Sequence, residues 1–303
     1  MGDRTGIQWS GMYDEFDNFI PGGTLNIGGG CTKVQPACKN CYAMAVTAGL
    51  ASKLPAGNKY EGLTKLVNGR YEWTNKVVEF GERLEGLVRK TKTKPWFVSS
   101  LTDVFHEGFG DDFLIEVYGA FVAAPKQRLY VLTKRPERQA DFLLSNKEKV
   151  LAEAKKWEKR IPHLSVPNDW PAKNIWAGAS AGTQKDLEDI LPDVLRTPAV
   201  VQWLSLEPLI APIDLKSLLG PLDAKSREKL LWAVTGGESG EGARPMDLNW
   251  VRKIISDCRE FNVVPFFKQK GEVLAAEMGC ADKKGGDITE WPLDLQVRDW
   301  PRV

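Results

Sequence analysis

The stretch DFLIEVYGAFVAA (residues 112–124), followed after Pro125-Lys126-Gln127 by RLYVLT (residues 128–133), decides how this chain is built. In the first part Phe113, Val117 and Phe121 fall four apart, on one face of a helix. The second part is a short apolar run that ends in a polar triplet, Thr133-Lys134-Arg135, and reads as a buried strand. Similar runs recur at 96–99, 174–179, 200–205, 230–235 and 264–268, and a seventh strand is expected around 24–27. Helical spacing recurs between them: in 249–260, Val251, Ile254, Ile255 and Cys258 form an i, i+3, i+4, i+7 stripe.

Strands alternating with helices mean βαβ units, because parallel neighbours need a crossover that a helix supplies. The expected class is therefore α/β, a partial (β/α)6-7 barrel of parallel strands over residues 1–270. Residues 10–24 read as an insertion. Residues 271–303 have weak periodicity but hold Trp291 and Trp300, so an irregular C-terminal extension packed on the barrel is expected there. Neither internal repeats nor low-complexity segments are evident.

The 303 residues include 43% hydrophobic and 27% charged positions, the balance of a soluble globular chain with ample length for a core. No apolar run approaches the length of a membrane span, and the N-terminus lacks a secretory pattern, so a cytoplasmic address is expected. Net charge is +1, which neither requires nor excludes a nucleic-acid partner. Five cysteines with no export signal argue against a disulfide framework. With only His106 and His163 present, a His-rich metal site is disfavoured.

In parallel β/α folds the working residues gather where strands end. Polar residues stand at six such ends: Ser99-Ser100-Leu101-Thr102-Asp103, Thr133-Lys134-Arg135, Ser180, Ser205-Leu206-Glu207, Thr235-Gly236-Gly237-Glu238 and Lys268-Gln269.

Three cysteines fall within eleven residues, as Cys31, Cys38 and Cys41, with the spacing C-x6-C-x2-C. Three thiolates can hold three irons of a 4Fe-4S cubane and leave the fourth open, able to chelate the amino and carboxylate groups of S-adenosylmethionine. Gly28, Gly29 and Gly30 would let backbone amides approach cluster sulfur. Structural zinc with His106 or another fourth ligand is a competing reading, as are unligated buried thiols. Cys258, on its helical stripe, reads as core, and Cys280 as part of the C-terminal extension.

The string Asn26…Gly30-Cys31…Cys38-x-x-Cys41-Tyr42-Ala43 resembles the cluster loop of spore photoproduct lyase-like radical S-adenosylmethionine proteins. Thr102-Asp103, Thr133-Lys134 and Ala179-Ser180 match their later motifs in order. The chain is more similar still to a phage- and bacteria-associated three-cysteine family. That likeness is carried by Ile7-Gln8-Trp9, Gly30-Cys31-Thr32-Lys33-Val34, Thr102-Asp103-Val104-Phe105-His106, Leu132-Thr133-Lys134-Arg135-Pro136-Glu137, Leu204-Ser205-Leu206-Glu207-Pro208-Leu209, Gly236-Gly237-Glu238-Ser239-Gly240 with Ala243-Arg244-Pro245, and Phe266-Phe267-Lys268-Gln269. The first gap is six rather than the usual three, and Asn40 stands where an aromatic normally precedes the third cysteine.

The resemblance implies a 4Fe-4S cluster on Cys31, Cys38 and Cys41, with S-adenosylmethionine as cofactor and a flavodoxin- or ferredoxin-like reductant. Cofactor contacts would come from Tyr42, Ser99, Ser100, Thr133, Ser180, Ser205, Thr235, Gly236 and Gly237. Asp103, His106, Lys134, Glu207 and Glu238 are the candidate catalytic groups, and Arg135, Arg244, Lys268 and Gln269 the candidate substrate-binding ones. The substrate class implied is a modified thymidine, or an amino acid attached to such a base, in phage DNA, with isomerase or lyase chemistry in the host cytoplasm. Trp176, Trp203 and Trp232 read as core, while Trp73, Trp170, Trp291 and Trp300 are freer to stack on a base. A radical enzyme acting on a free small molecule and a zinc-stabilised nucleic-acid-binding protein are the alternatives.

Overall fold

The computed structural model describes residues 2–3, 5–162 and 164–302; His163 lies outside them. Seven strands form the main sheet: β1 (Gly23–Leu25), β2 (Lys94–Val98), β3 (Gln127–Thr133), β4 (Ile175–Ser180), β5 (Gln202–Leu206), β6 (Leu230–Gly236) and β7 (Val264–Gln269). Their order in the sheet is their order in the chain. The pairs β1–β2, β2–β3, β5–β6 and β6–β7 are parallel, so each needs a crossover connection. The chain is thus α/β, with its parallel strands in a partial barrel. Every expected strand is present, displaced by at most two residues at either end.

The helices that matter here are α1 (Tyr42–Lys53), α2 (Asp111–Val122), α3 (Pro136–Ser145), α4 (Lys147–Arg160), α5 (Gln184–Arg196) and α6 (Leu248–Glu260). Two of them, α2 and α6, fall on the expected windows. Pro136 starts α3 at a position where its missing N–H costs nothing.

Two compact units divide the chain, and one of the points where the chain passes between them lies inside β4. The first comprises residues 1–33, 41–177 and 197–200. Its core joins Trp96, Val98, Leu129 and Val131, from one face of β2 and β3, to Val117, Phe121 and Trp157 of α2 and α4. The opposite face carries Phe97 and Tyr130, and Trp9 packs edge-on against both, with ring centroids 4.7 and 6.0 Å away. The buried carboxamide of Asn174 donates to the carbonyls of Phe121, Ala124 and Gln127 at 2.9–3.1 Å, tying the end of α2 to the start of β4. Residues 10–24, read as an insertion, contain a two-residue ladder, Met12–Tyr13 against Phe19–Ile20.

The second unit comprises residues 34–40, 178–196 and 201–303. The stripe expected in α6 is buried, Cys258 included. Indole and phenyl rings run in sequence along the other face of its strands, from Trp203 to Trp232, Phe266 and Trp300, at centroid distances of 4.9–6.1 Å. At Gly178 the backbone meets this row so closely that a Cβ would stand 2.2 Å from a ring carbon of Trp203. The C-terminal residues belong to this unit. Trp291 stacks on Phe267 at 4.4 Å, Val297 accepts from the Phe267 amide, and the Trp232 indole N–H donates to the Asp299 carbonyl.

Of the tryptophans expected to be free for stacking, Trp73 and Trp291 are buried and Trp170 packs on the first core. Trp300 sits edge-on to Phe266. Small strands and loop segments needed large apolar rings to cover them, and these indoles serve that purpose. No helix among the described residues is long and apolar enough to cross a membrane.

Candidate functional site

In the first unit, the carboxyl ends of β1, β2 and β3 carry a dense set of hydrogen bonds. Asn26, just past β1, accepts from the Ser100 hydroxyl (3.2 Å) and the Leu101 amide (3.0 Å) through one side-chain oxygen. Tyr42, at the start of α1, donates its hydroxyl to the Ser100 carbonyl at 3.0 Å. Ser99 takes a left-handed conformation, φ 61°, which is uncommon for a residue other than glycine. Its hydroxyl is buried, and no hydrogen-bond partner for it is present among the described residues.

Asp103 is a hub. One of its oxygens accepts from the Thr133 hydroxyl (2.6 Å) and the Phe105 amide (3.0 Å); the other accepts from the Lys134 amide (2.9 Å) and Arg135 Nη1 (3.0 Å). Arg135 also donates through Nε to Glu107 (2.7 Å) and through Nη2 to the Thr32 hydroxyl (2.6 Å). Burial alone would lower the guanidinium pKa, but Asp103 and Glu107, with a contribution from Cys31, raise it. The same charges hold Glu107 low: burial works to raise its carboxyl, and the hydrogen bond from Arg135 outweighs it. His106 accepts the Gly108 amide at Nδ1 (2.9 Å), and its Nε2 lies 3.1 Å from Thr32 Oγ1. Burial, then the nearby Arg135 charge, lowers its pKa and favours the neutral imidazole.

In the second unit, Ser180 at the end of β4 donates to the Glu207 carbonyl (3.0 Å). The Glu207 carboxylate pairs with Lys268 at 3.1 Å. Thr235, near the end of β6, has a buried hydroxyl for which, as for Ser99, no partner is present among the described residues. Gly237 lies so near the end of β7 that a Cβ would be 2.2 Å from the Lys270 carbonyl, and the Gln269 side-chain carboxamide donates through Nε2 to its carbonyl at 3.0 Å. Ser205 is buried at the end of β5.

Glu238 is only 4% exposed, and both its oxygens are engaged. Arg244 donates to it through Nη2 (2.6 Å), Nε (2.8 Å) and its own amide (2.8 Å), and Asn40 Nδ2 donates at 3.1 Å. Burial tends to raise this carboxyl, but those donors hold it below its ordinary value. Arg244 Nη1 donates onward to the Pro36 carbonyl (3.1 Å), and Asn40 to the Gly242 carbonyl (2.7 Å). The candidate catalytic residue Glu238 and the candidate substrate ligand Arg244 therefore hold each other, and together they hold the residues flanking Cys38.

None of the five cysteines is in a disulfide. Cys31 and Cys41 pack against a small cluster containing Met44, Leu63, Phe80 and Leu101 in the first unit. Cys41 immediately precedes α1. Cys38 is buried at the end of a short 3-10 turn, Pro36–Cys38, in the second unit. Among the described residues, no group of three or more His, Cys, Asp or Glu side chains is arranged to hold a metal ion. Gly30 bends the chain into Cys31 with φ 88°, and a Cβ there would stand 2.0 Å from the Lys76 carbonyl.

Sequence reasoning singled out the cysteines and strand ends but passed over Thr32, Asn40 and Asn26. The signal was available for Asn40: a carboxamide standing where the resembled family carries an aromatic side chain needs hydrogen-bond partners. Thr32 and Asn26 had no such signal, because their partners come from distant strands.

No curated protein matches the chain, and no solved structure does. Residues 17–292, most of the sequence, match the family described as "Protein of unknown function (DUF5131)", and the chain belongs to that family.

Proposed function

We propose that this protein is a radical S-adenosylmethionine enzyme, with a 4Fe-4S cluster held by Cys31, Cys38 and Cys41. The observation that carries the reading is the donor set itself: three cysteines, none in a disulfide, within one eleven-residue stretch that follows the first strand of a parallel β/α sheet. Soft thiolates are the ligands iron–sulfur clusters require, and the set fits in its chemistry. The zinc alternative loses its obvious fourth ligand, since both ring nitrogens of His106 face protein groups.

Bound there, the cluster would supply one electron to cleave S-adenosylmethionine, and the 5′-deoxyadenosyl radical would take hydrogen from the substrate. The chain's own residues prepare the strand ends for a polar guest. The hydroxyls of Ser99 and Thr235, without a hydrogen-bond partner among the described residues, each cost about 1–3 kcal/mol while buried, a penalty that a hydrogen-bonding ligand removes. Lys268, held by Glu207, offers positive charge to a carboxylate or phosphate. Asp103 and Glu238, saturated with donors, act as anchors for Arg135 and Arg244 rather than as free bases. The substrate we favour is a modified thymidine or an amino-acid-linked base of phage DNA. The reaction would run in the cytoplasm, with a flavodoxin or ferredoxin as reductant.

The test is anaerobic reconstitution with iron and sulfide, followed by S-adenosylmethionine and a reductant, with 5′-deoxyadenosine measured for the wild type and Cys38→Ala. About four irons per chain, and cleavage lost in the variant, is the expected result. A colourless protein holding about one zinc overturns the reading.

A further inference from the structure

We infer that the hairpin of Thr64–Val67 and Arg70–Trp73 is a nucleic-acid-binding ribbon that enters the major groove of duplex DNA. The inference rests on the reading above for its substrate class and adds the element that meets the DNA.

The register of the hairpin sorts its side chains. Thr64 pairs with Trp73, Lys65 with Glu72, Leu66 with Tyr71 and Val67 with Arg70. Cross-strand partners share a face and successive pairs alternate, so Trp73, Leu66 and Tyr71 lie on one face, and Lys65 and Arg70 on the other. At the foot, Trp73 is buried in the cluster against which Cys31 and Cys41 pack. Farther out on the same face, Leu66 is 63% exposed and Tyr71 43%. Every residue from Lys65 to Tyr71 is exposed, so the ribbon projects with its apolar end uncovered. Clustered rather than scattered, these apolar side chains mark a contact surface.

The ribbon is held at both ends. Its two-residue turn, Asn68-Gly69, takes φ 49° and 78°, the conformation that matches the twist of the flanking strands. At the foot, Thr74 donates its amide to the Leu63 carbonyl (3.0 Å) and its hydroxyl to the Gly62 carbonyl (2.6 Å). Glu72 pairs with Lys33, two residues after Cys31, at 2.5 Å.

Charge identifies the occupant. Residues 53–76 carry five basic side chains and two acidic ones, in a chain whose net charge is +1. Lys65 and Arg70 stand on opposite strands, so their long arms extend from opposite edges of the ribbon. The complement is a channel with negative walls and a partly apolar floor. The major groove answers that description: it is about 12 Å wide, admits a two-stranded ribbon, and shows the thymine methyl on its floor between rows of phosphates. In this arrangement the Leu66–Tyr71 face lies on the base edges, while Lys65 and Arg70 reach the phosphates on either side.

The test is fluorescence anisotropy of a labelled duplex of unmodified DNA, two helical turns long, between about 50 and 200 mM salt. The full chain is used, with and without iron–sulfide reconstitution, and circular dichroism checks each variant. Wild type should bind with log K falling linearly in log salt. Lys65→Gln with Arg70→Gln should lower that slope by about 1.8, two phosphates at about 0.9 each, and each single change by about half as much. Leu66→Ala with Tyr71→Ala should weaken binding at least about tenfold and leave the slope unchanged. Lys149→Gln with Lys159→Gln removes the same charge from exposed sites on α4 and should leave slope and affinity at the wild-type values. A wild type that does not bind the duplex overturns the inference. So does a wild-type slope in the Lys65/Arg70 variants, wild-type affinity in the Leu66/Tyr71 variant, or an equal fall in slope for the α4 control. Any of these in a protein that takes up iron leaves the cluster assignment standing. Hairpin-dependent binding by a protein that takes up no iron removes that assignment and supports the ribbon.

Discussion

Arg244→Leu is the substitution that most directly probes how the cysteine loop is held. Glu238 receives four hydrogen bonds, and two of them, from Nε at 2.8 Å and Nη2 at 2.6 Å, end with the guanidinium. The amide of residue 244 and Asn40 remain. Hydrogen bonds to a charged group contribute about 1.5–3 kcal/mol each, and removing one partner of a fully buried pair costs about 3–5 kcal/mol. The Arg244 side chain is 26% exposed, so water can take up part of the loss, and about 3 kcal/mol at pH 7 is expected.

The pH dependence has a definite sign. Glu238 titrates below its ordinary 4.5 in the folded protein, so its contribution is present above that value and lost as pH falls through the folded pKa. In the variant the unpaired carboxyl takes up a proton at higher pH, so the difference between the two proteins should shrink as pH falls toward 4.5. Urea unfolding followed by tryptophan fluorescence at pH 7 and pH 5 measures this, with Trp203 and Trp232 reporting the second unit. Loss of the Arg244 bond to the Pro36 carbonyl should also speed alkylation of Cys38 relative to Cys280. A destabilisation below about 1 kcal/mol, or one independent of pH, would refute the argument that a buried carboxylate anchors the loop.

Three further outcomes are expected. Gly30→Ala should destabilise the first unit by at least about 2 kcal/mol, because φ 88° is strained for any side chain and the new methyl would collide with the Lys76 carbonyl; thermal melting is the check. Burial pushes the Cys258 thiol up to about 12, so in the native protein it should resist iodoacetamide at pH 8, where half-exposed Cys280 reacts, as peptide mapping would reveal. His106 titrates below 6.5 when folded, so its contribution is complete above that pH and declines as pH falls; His106→Gln should flatten the stability profile below pH 6.5, measured by urea midpoints.

The main sheet was legible because each strand is a short apolar run closed by polar residues, and residues 128–133 gave β3 almost to its ends. The hairpin of Thr64–Val67 with Arg70–Trp73 was overlooked, although Asn68-Gly69 is a strong two-residue turn signal, and both residues take positive φ. The internal boundary in β4 was not legible, since nothing in its composition distinguishes the two ends of that strand. In the site, the cysteines and strand-end hydroxyls could be picked out by type and position. The ion pairs could not: whether Glu238 meets a substrate or Arg244 depends on a turn that brings residues six apart face to face. The same holds for Asp103 and Arg135, which lie on successive strand ends and meet only once the sheet is formed.

Glycine at 178 and indole at 203 also carry information about descent. Their atoms occupy space that a single Cβ would contest at 2.2 Å, so neither position can drift alone. Across the family, a larger residue at the first position should occur only beside a smaller ring, or none, at the second. Sequences that break that pairing would need a different course for the strand between them.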